Sequence, residues 1–410
     1  MQSNPPQKTI EGDLFQAFVQ AGAISKDNAN DPKKSSFMRA ARTDKGVHAA
    51  GNVVSLKLIV EDEDIVDKIN SFLPSQIRVW GYSRTNNSFE CRKMCNSRMY
   101  EYLIPSYSFL PPKPSSALAG QISRIDEELG NKTEKDQEGI TFWDEVEKSL
   151  EKEGITMEEI KKYINSEVEN LDNEEESQDL PPILKRIKTI ENQHRRDFRI
   201  SMPRLEKVRE AFKIYEGTHN FHNFTLGKLP SDASAIRVMK SLMVSDPKVI
   251  NGTEWLSIKI HGQSFMLHQI RKMVALAALV VRTGCPLDRI SEAFGPTKIN
   301  IPKAPSLGLL LERPIYDGYN TKLQTLGHQP ITFAKWEKEM EEFKMKFIYD
   351  KIYYEEVKEN VFHGFFAFID SVRGDGSFSY LTSKGITAET SCVPTLNEED
   401  KEELEGDNEG

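Results

Sequence analysis

The segment Arg39–Ala49 reads RAARTDKGVHA and places one aspartate, Asp44, among two arginines and a lysine. Gly46 follows two residues later and permits a tight turn. Residues 52–60, just downstream, are rich in apolar and β-branched side chains and predict a strand, so the segment is predicted to be a loop that leads into a sheet. A lone loop aspartate among cations usually forms a structural ion pair, but the same arrangement also suits a catalytic carboxylate.

Helices and strands alternate on both sides of this segment. Helical spacing of apolar residues predicts helices at residues 9–21, 64–72, 264–283 (ending at Gly284) and 288–294. Apolar and β-branched runs predict further strands at residues 77–82, 99–104, 236–245 and 254–260. Residues 183–215 are basic and prone to helix, which suits either a solvated helix face or a surface that faces nucleic acid. The order of elements indicates an α/β (α+β) chain.

The net charge of −9 hides an uneven distribution. Residues 124–178 hold 19 acidic and 7 basic side chains, and residues 396–410 hold 8 and 1, so the remainder holds 36 acidic and 46 basic residues. The body of the chain is therefore basic, as in proteins that bind phosphates, although Lys and Arg are common on any surface. The first acidic run predicts a partly mobile surface insertion, and the second predicts a disordered tail.

Other bulk features bound the class of protein. The longest apolar stretch, Met273–Val281, is far shorter than the roughly 20 residues that span a bilayer, so no membrane segment is predicted. The first residues, MQSNPPQK, contain no apolar signal region. Four cysteines in 410 residues fit a reducing compartment. These features disfavour a secreted or disulfide-stabilised protein.

Four segments, in matching order, resemble the motifs of the tRNA pseudouridine synthase A (TruA) family. The nucleophile motif is matched by ARTDKGVHA at residues 41–49. The others are matched by FECRK and SRMYEY at residues 89–93 and 97–102, by HGQSFMLHQIRK at residues 261–272, and by APSLGL at residues 304–309. The acidic insertion and the segment YEGTHNFHNFT resemble the multisite tRNA enzymes of yeasts within this family.

The resemblance implies a pseudouridine synthase fold, in which two ferredoxin-like subdomains form one extended, mostly antiparallel sheet with a basic central cleft. The implied parts are an N-terminal catalytic subdomain (1–123), the acidic insertion (124–181), a C-terminal catalytic subdomain (182–325), an extension (326–390) and a disordered acidic tail (391–410). The family's first strand precedes the equivalent of residue 2. That strand is therefore expected to be missing from the N-terminal subdomain of this sequence.

The resemblance also implies three catalytic residues. Pseudouridine formation breaks the N1–C1′ bond, turns the base and joins C5 to C1′, which requires an ionised carboxylate but no nucleotide or redox cofactor. Asp44 is the implied nucleophile, and Arg271 is implied to keep it charged through a bidentate pair. Tyr100 is implied to stack on the uracil, and its hydroxyl to assist loss of the C5 proton. Without the motif, Tyr100 would be interpreted as a core tyrosine.

Further residues are implied to contact RNA. A target uridine must leave its stack, and Arg42 is implied to fill the vacated space. Phe265 and Leu309 are implied to wall the base, although both also suit core packing. His48 and His268 suit either a phosphate contact or a satisfied polar environment. The remaining cations of the first two motifs are also assigned to RNA: Arg39, Lys45, Arg92 and Lys93.

Signals for a metal are weak. Cys91 and Cys95 have C-x3-C spacing with no second pair, and His219 and His222 stand apart from other ligand types. The sequence therefore assigns no metal ligand and no cofactor, although the yeast branch leaves a structural zinc ion open.

The implied function is isomerisation of uridine at several sites in or near the anticodon stem-loop of tRNA. Small nuclear RNA and messenger RNA are possible further partners, and the implied location is the nucleus, with the mitochondrion as the alternative. The main alternative function is a catalytically inactive tRNA-binding protein, although binding alone needs no carboxylate that would repel phosphates. A nucleosidase would need an activated water and a second acid, which the sequence does not place. The sequence gives no oligomeric state.

Overall fold

The structure is a computed structural model that describes residues 8–130, 136–156, 158–159, 182–325, 329–373 and 377–392, together with residues 398, 400, 401 and 404. Three predictions concern residues outside these ranges in part or in full: the missing first strand, half of the acidic insertion and most of the acidic tail. The helices are α1 (Ile10–Gln20), α2 (Ile65–Ser71), α3 (Ala117–Leu129), α4 (Gln137–Lys152), α5 (Pro182–Asp197), α6 (Met202–Lys213), α7 (Gln269–Thr283), α8 (Asp288–Glu292), α9 (Asp317–Thr325), α10 (Glu337–Lys344), α11 (Asp350–Glu359) and α12 (Val361–Ser371).

The strands are shorter on average than the helices and are spread along the chain. They are β1 (Met38–Arg39), β2 (His48–Ala49), β3 (Val54–Ser55), β4 (Ser97–Pro105), β5 (Gly217–Asn220), β6 (Ile236–Val244), β7 (Lys248–Ile250), β8 (Thr253–Gly262) and β9 (Leu309–Ile315). This mixture of helices and sheet confirms the α/β prediction.

The chain divides into two compact units, each built from separate stretches of sequence. The first unit contains Met1–Tyr102, His261–Gln263 and Ser306–Tyr354. The second contains Leu103–Ile260, Ser264–Pro305 and Glu355–Gly410. The ferredoxin-like subdomains, the single extended sheet and the basic cleft implied by the resemblance stay predictions.

Helix α1 covers an apolar cluster of the first unit. It begins at the predicted place, because the Thr9 side chain accepts a hydrogen bond from the Gly12 N–H at 3.1 Å. Leu14 and Phe18, one turn apart, are buried against residues of α2 and the segments that follow it. The predicted helix at residues 64–72 is also confirmed as α2.

The first unit contains a mixed sheet in the order β2-β9-β4. Strand β2 runs parallel to β9, with His48 opposite Leu310. Strand β4 runs antiparallel to β9 from Ser97, opposite Ile315, to Tyr102, opposite Leu309. Strands β1 and β3 form a separate antiparallel pair. The sequence pattern predicted β4, but β9 was not predicted as a strand.

Two predicted strands of this unit are wrong in part or in full. Residues 77–82 lie outside any strand. The Asn70 side-chain amide donates to the Val79 carbonyl and accepts from the Val79 N–H, each at 2.8 Å, so these backbone groups do not pair with a strand. Only Val54–Ser55 of residues 52–60 forms a ladder. Further along, the Lys57 and Ile59 N–H groups donate to carbonyls in earlier loops. The predicted strand is therefore confirmed only at Val54–Ser55, and the backbone partners of Lys57 and Ile59 are not strands.

Helix α7 forms the apolar centre of the second unit. Its residues from Met273 to Val280 are almost fully buried. It ends at Gly284, as predicted, where the φ of +70° is a left-handed conformation that favours glycine. The predicted start at Ser264 is wrong. His268 has a φ of +60°, which breaks the helical path, and the helix begins at Gln269. Strands β6 and β8 follow the predictions closely, and β5 and β7 pair with them.

The acidic insertion and the extension both contain ordered helices. In the insertion, α4 packs on α5, where the rings of Phe142 and His194 are perpendicular and their centroids are 6.4 Å apart. In the extension, residues up to Tyr354 belong to the first unit and the following residues to the second. Across the described ranges, no helix combines the length and apolar character needed to cross a membrane.

A buried carboxyl group joins the extension to the rest of the second unit. Glu356, on α11, is 4% exposed, accepts from the Phe362 N–H at 3.0 Å at the start of α12, and accepts from the Tyr107 hydroxyl. Burial raises the pKa of Glu356 to about 7 from 4.5, against the opposing effect of these hydrogen bonds. The folded protein therefore holds this proton more tightly than the unfolded chain does.

We expect this group to destabilise the fold as the pH rises. Its favourable contribution is complete below about pH 4.5 and is lost by about pH 7, a change on the order of 3 kcal/mol in the free energy of unfolding. The variant Glu356→Gln is expected to remove this part of the pH dependence, whereas the exposed control Glu359→Gln keeps it. Urea unfolding at several pH values measures the difference, and equal slopes for both variants would contradict the prediction.

Candidate active site

The predicted catalytic aspartate lies in a short loop of the first unit. The carboxylate loop, residues 40–47, connects β1 to β2 and turns where the Val47 N–H donates to the Asp44 carbonyl at 3.1 Å. Gly46 has a φ of +79° at this turn, as its position predicted. The Asp44 side chain is half-buried, so it has both protein neighbours and access to solvent.

Hydrogen bonds from β4 and from the segment before β3 hold the start of the carboxylate loop. The Ala40 N–H donates to the Val53 carbonyl at 2.8 Å, and the Arg98 guanidinium donates to the Ala40 carbonyl at 2.9 Å. The Asn52 side-chain amide donates to the Ala41 carbonyl at 3.0 Å. Neither positioning side chain, Asn52 or Arg98, was predicted from the sequence. Arg98 stands within the second motif and could have been considered, whereas no local signal marks Asn52.

Substituting Gly46 is expected to destabilise this loop. In Gly46→Ala, the added Cβ would lie 2.7 Å from the Ser306 Oγ, and the positive φ would strain any residue with a side chain. We expect a loss of about 2 kcal/mol in the free energy of unfolding, measured by urea titration.

The double variant Gly46→Ala/Ser306→Ala separates the two causes of that loss. Compared with Ser306→Ala alone, it should lose only the backbone component, about 1 kcal/mol. An unchanged loss in the Ser306→Ala background would show that the contact with Ser306 does not matter.

Tyr100 is electrostatically coupled to the carboxylate loop. It is 8% exposed and lies in β4 where the pairing with β9 shifts by one residue. Burial raises the pKa of Tyr100 well above its usual range, the Arg98 charge opposes the rise, and the Asp44 charge adds to it. The hydroxyl therefore stays protonated near neutral pH, which favours stacking over proton removal as its contribution.

Cross-strand pairing determines which predicted residues share a face of the sheet. Tyr100 lies opposite Leu311, and Tyr102 lies opposite Leu309, so Tyr100 and Leu309 share one face. His48 is paired with Leu310, whose side chain points to the other face. The pairing thus places Leu309, but not His48, on the same side as Tyr100.

The predicted RNA-binding cations of the first unit differ in environment. Arg39 forms an ion pair with Glu11 of α1 at 2.9 Å, and both side chains are largely buried. Arg42 is half-buried, and Lys45 is exposed at the turn. Arg92 and Lys93 are exposed, and Lys93 pairs with Glu90 at 2.8 Å. Their roles toward RNA stay predictions.

The second unit holds the other three predicted residues. The Arg271 Nε donates to the Ala304 carbonyl at 2.6 Å, which ties α7 to the fourth motif. Phe265 is half-buried, and His268 is buried at the start of α7. The pairing of Arg271 with Asp44 joins residues of different units and stays a prediction.

Three of the four candidate zinc residues have other contacts. The Cys91 thiol lies 3.3 Å from the Met38 carbonyl, and the Cys95 thiol lies 3.1 Å from the Ser97 carbonyl. His219 stacks on Phe294 at 4.2 Å between centroids. Among the residues that the structure describes, no three His, Cys, Asp or Glu side chains are grouped to hold a metal ion, so they do not fit a zinc site.

Known proteins resemble the chain across almost its whole length. A family model described as tRNA pseudouridine synthase matches residues 211–317. A protein named tRNA pseudouridine synthase 1 from Yarrowia lipolytica is 56% identical over 98% of this chain and 77% of its own length. The protein of that name from Saccharomyces cerevisiae is 52% identical, with the same coverage. A second Saccharomyces cerevisiae protein, named tRNA pseudouridine(27/28) synthase, is 40% identical over 88% of this chain and 93% of its own length.

These similarities cover 98% of the chain and so extend over both units, whereas the carboxylate loop lies outside the family match at residues 211–317. Together with the α/β fold, they define an isomerase that rearranges its substrate without a cofactor. The chain belongs to the tRNA pseudouridine synthase family, as the four motifs indicated.

Proposed function

We propose that this protein isomerises uridine in tRNA with Asp44 as its covalent nucleophile. The observation that carries the proposal is the placement of a half-buried carboxylate in a braced turn whose charge acts on the buried Tyr100. A nucleophile must be held in a defined orientation, and the contacts of Asn52 and Arg98 supply that order. A flexible surface aspartate would lack these supports.

The proposed reaction balances without any other reactant. The Asp44 carboxylate donates an electron pair to the ribose C1′, or to the base, as the N1–C1′ bond breaks. The uracil then turns, C5 bonds to C1′, and the bond to Asp44 breaks. C5 loses its proton to solvent and N1 gains one. Tyr100 stacks on the base during the turn, and Leu309 stands on the same face of the sheet.

The remaining predicted residues would act on the RNA rather than on the reacting bond. Arg42 fills the space that the extruded nucleotide leaves, and Phe265 walls the base. Arg271 keeps the carboxylate ionised. Phosphate contacts are assigned to Arg39, Lys45, His48, Arg92, Lys93 and His268. Of these, Lys45 and Arg92 are supported by exposure, whereas the internal ion pair of Arg39 makes it a weaker candidate.

The direct test uses tRNA transcripts that carry tritium at C5 of uridine. Isomerisation releases tritium to water, leaves the RNA chain intact and leaves every base attached to its ribose. We expect release that continues over many turnovers in buffer without added metal or nucleotide. Digestion of the product should yield pseudouridine in an amount equal to the tritium released.

The outcomes separate this function from its alternatives. Release of free uracil would identify a nucleosidase instead. Tight tRNA binding without release of tritium or of free uracil would identify a catalytically inactive tRNA-binding protein. Either result would overturn the proposal.

We propose the anticodon stem-loop as the main target, with small nuclear and messenger RNA as additional substrates. The relative whose name specifies positions 27/28 and the basic charge of the body support this assignment. Transcripts that retain one uridine each would test it by site-resolved tritium release. Nuclear location, with the mitochondrion as the alternative, rests on the resemblance to the yeast branch, and imaging of the tagged protein would test it.

A further inference from the structure

A cavity in the second unit lies among residues that the proposed chemistry does not use. Its volume is about 270 Å³, near the lower end of the 300–1,000 Å³ typical of small-molecule sites. Helix α12 of the extension forms one wall, and the segment before α3 forms another. None of the predicted catalytic residues lines it.

The walls of this cavity carry more positive than negative charge. Lys113, Arg195, Arg282 and Arg373 line it, against Glu191 and Asp370. Each carboxylate already has a cation in place. Glu191 accepts from Lys113 at 2.6 Å and from Arg195 at 3.0 Å, and Asp370 accepts from Arg282 at 2.6 Å. The two carboxylates balance only two of the four cations, so the cavity has an excess of positive charge.

The pKa values of the lining groups are consistent with this positive field. Burial alone would raise the pKa of Glu191, but the charges of Arg195 and Lys113 outweigh burial and lower it to about 2. Burial, with the nearby Arg195 charge, holds the pKa of His363 well below its usual range. Glu191 is therefore ionised and His363 neutral near pH 7.

Aromatic rings stand beside the cations. The Arg282 guanidinium lies over the Phe366 ring at 4.5 Å, and the Arg195 guanidinium lies 5.8 Å from the Trp143 ring. All four side chains line the cavity. A site of this kind offers a planar group a ring to stack on and an anion a guanidinium to bind. The first turn of α3, at Ala117, adds the positive end of a helix to the same wall.

We propose that this cavity binds a nucleoside monophosphate, either free or as one residue of an RNA strand. The phosphate would lie against Arg282 and Arg373, and the base against Trp143 or Phe366. A bare phosphate would leave the aromatic wall unused, and an uncharged nucleoside would leave the cations unused. This inference does not depend on Asp44, so its failure and that of the proposed function are distinguishable.

Calorimetric titration of the full chain tests the proposal with defined probes. We expect uridine monophosphate to bind at least about tenfold more tightly than uridine or inorganic phosphate.

Three variants test which residues form the site. Arg373→Ala should weaken binding by about tenfold, because it removes a cation that contacts the phosphate. Arg373 is exposed, so its removal leaves the buried ion pairs intact. Ala367→Phe, which fills the cavity, should abolish binding. The matched control, Lys240→Ala, removes an exposed cation from β6 outside the cavity and should bind normally.

A short oligouridylate distinguishes the two sources of the ligand. Competition by the oligonucleotide, lost in Arg373→Ala, would assign the site to RNA. Binding of the mononucleotide alone would assign it to a free nucleotide, and both results support the site. No heat of binding with uridine monophosphate would overturn the proposal. So would unchanged binding in Ala367→Phe, once its thermal unfolding shows that this variant is folded.

Discussion

Replacing Asp44 with alanine is expected to reduce tritium release from C5-labelled tRNA by at least roughly ten-thousand-fold, while tRNA affinity stays within a few-fold of the wild type. The carboxylate is the only group in the proposed mechanism that bonds to the substrate, so nothing else in the mechanism can replace it. Affinity should persist because phosphate contacts supply most of the binding free energy for RNA. Single-turnover tritium release and filter binding measure the two quantities separately.

The Asp44 prediction has a matched control in the same unit. Asp64→Ala removes an exposed aspartate whose side chain makes no capping hydrogen bond to α2, and its turnover should equal that of the wild type. Asp44→Asn keeps the shape of the side chain but not its charge and should be as inactive as Asp44→Ala. Appreciable turnover in either Asp44 variant would overturn the nucleophile assignment.

The second large effect is on stability. Arg204, on α6, is 6% exposed and joins three segments of the second unit. Its Nε donates to Glu138 at 2.7 Å, its Nη1 donates to the Phe109 carbonyl at 2.8 Å, and its Nη2 contacts both carboxylate oxygens of Asp136. We expect Arg204→Ala to lower the free energy of unfolding by about 3 kcal/mol, because it leaves a buried carbonyl and two carboxylates without this partner. The partial exposure of both carboxylates keeps the loss below the upper range for buried pairs.

Arg209 on the same helix provides the control for Arg204. It pairs with Glu206 and Asp246, each at 2.6 Å, but it stands at the surface. We expect Arg209→Ala to cost less than about 1 kcal/mol in urea unfolding. Equal losses in the two variants would show that burial of Arg204 is not what gives its contacts their strength.

Local signals predicted the helix ends and the turn more reliably than the sheet. The start of α1 after Thr9, the end of α7 at Gly284 and the turn at Gly46 each depend on a few adjacent residues, and all three are confirmed. The start of α7 was placed too early because the backbone conformation of His268 leaves no mark in the apolar spacing. The family motifs identified the functional class from the sequence alone.

Strand pairing depends on distant residues, and there the sequence was a poor guide. Residues 77–82 were predicted to form a strand, but the backbone of Val79 is hydrogen-bonded to the Asn70 side chain and not to a neighbouring strand. Strand β9 was not predicted, and its first residue, Leu309, was interpreted only as part of a motif. The braces of the carboxylate loop, Asn52 and Arg98, likewise act across sequence distance. Each of these features depends on contacts that only the three-dimensional structure shows.

The parallel pairing of β2 with β9 has a consequence for protein synthesis. Leu310 lies about 260 residues after His48, so the strand that borders the end of the carboxylate loop leaves the ribosome long after the loop itself. A polypeptide that ends before Leu310 therefore carries the proposed nucleophile without the neighbouring strand of its sheet. Enzymatic competence is therefore expected to arise only after β9, which ends at Ile315, has been synthesised.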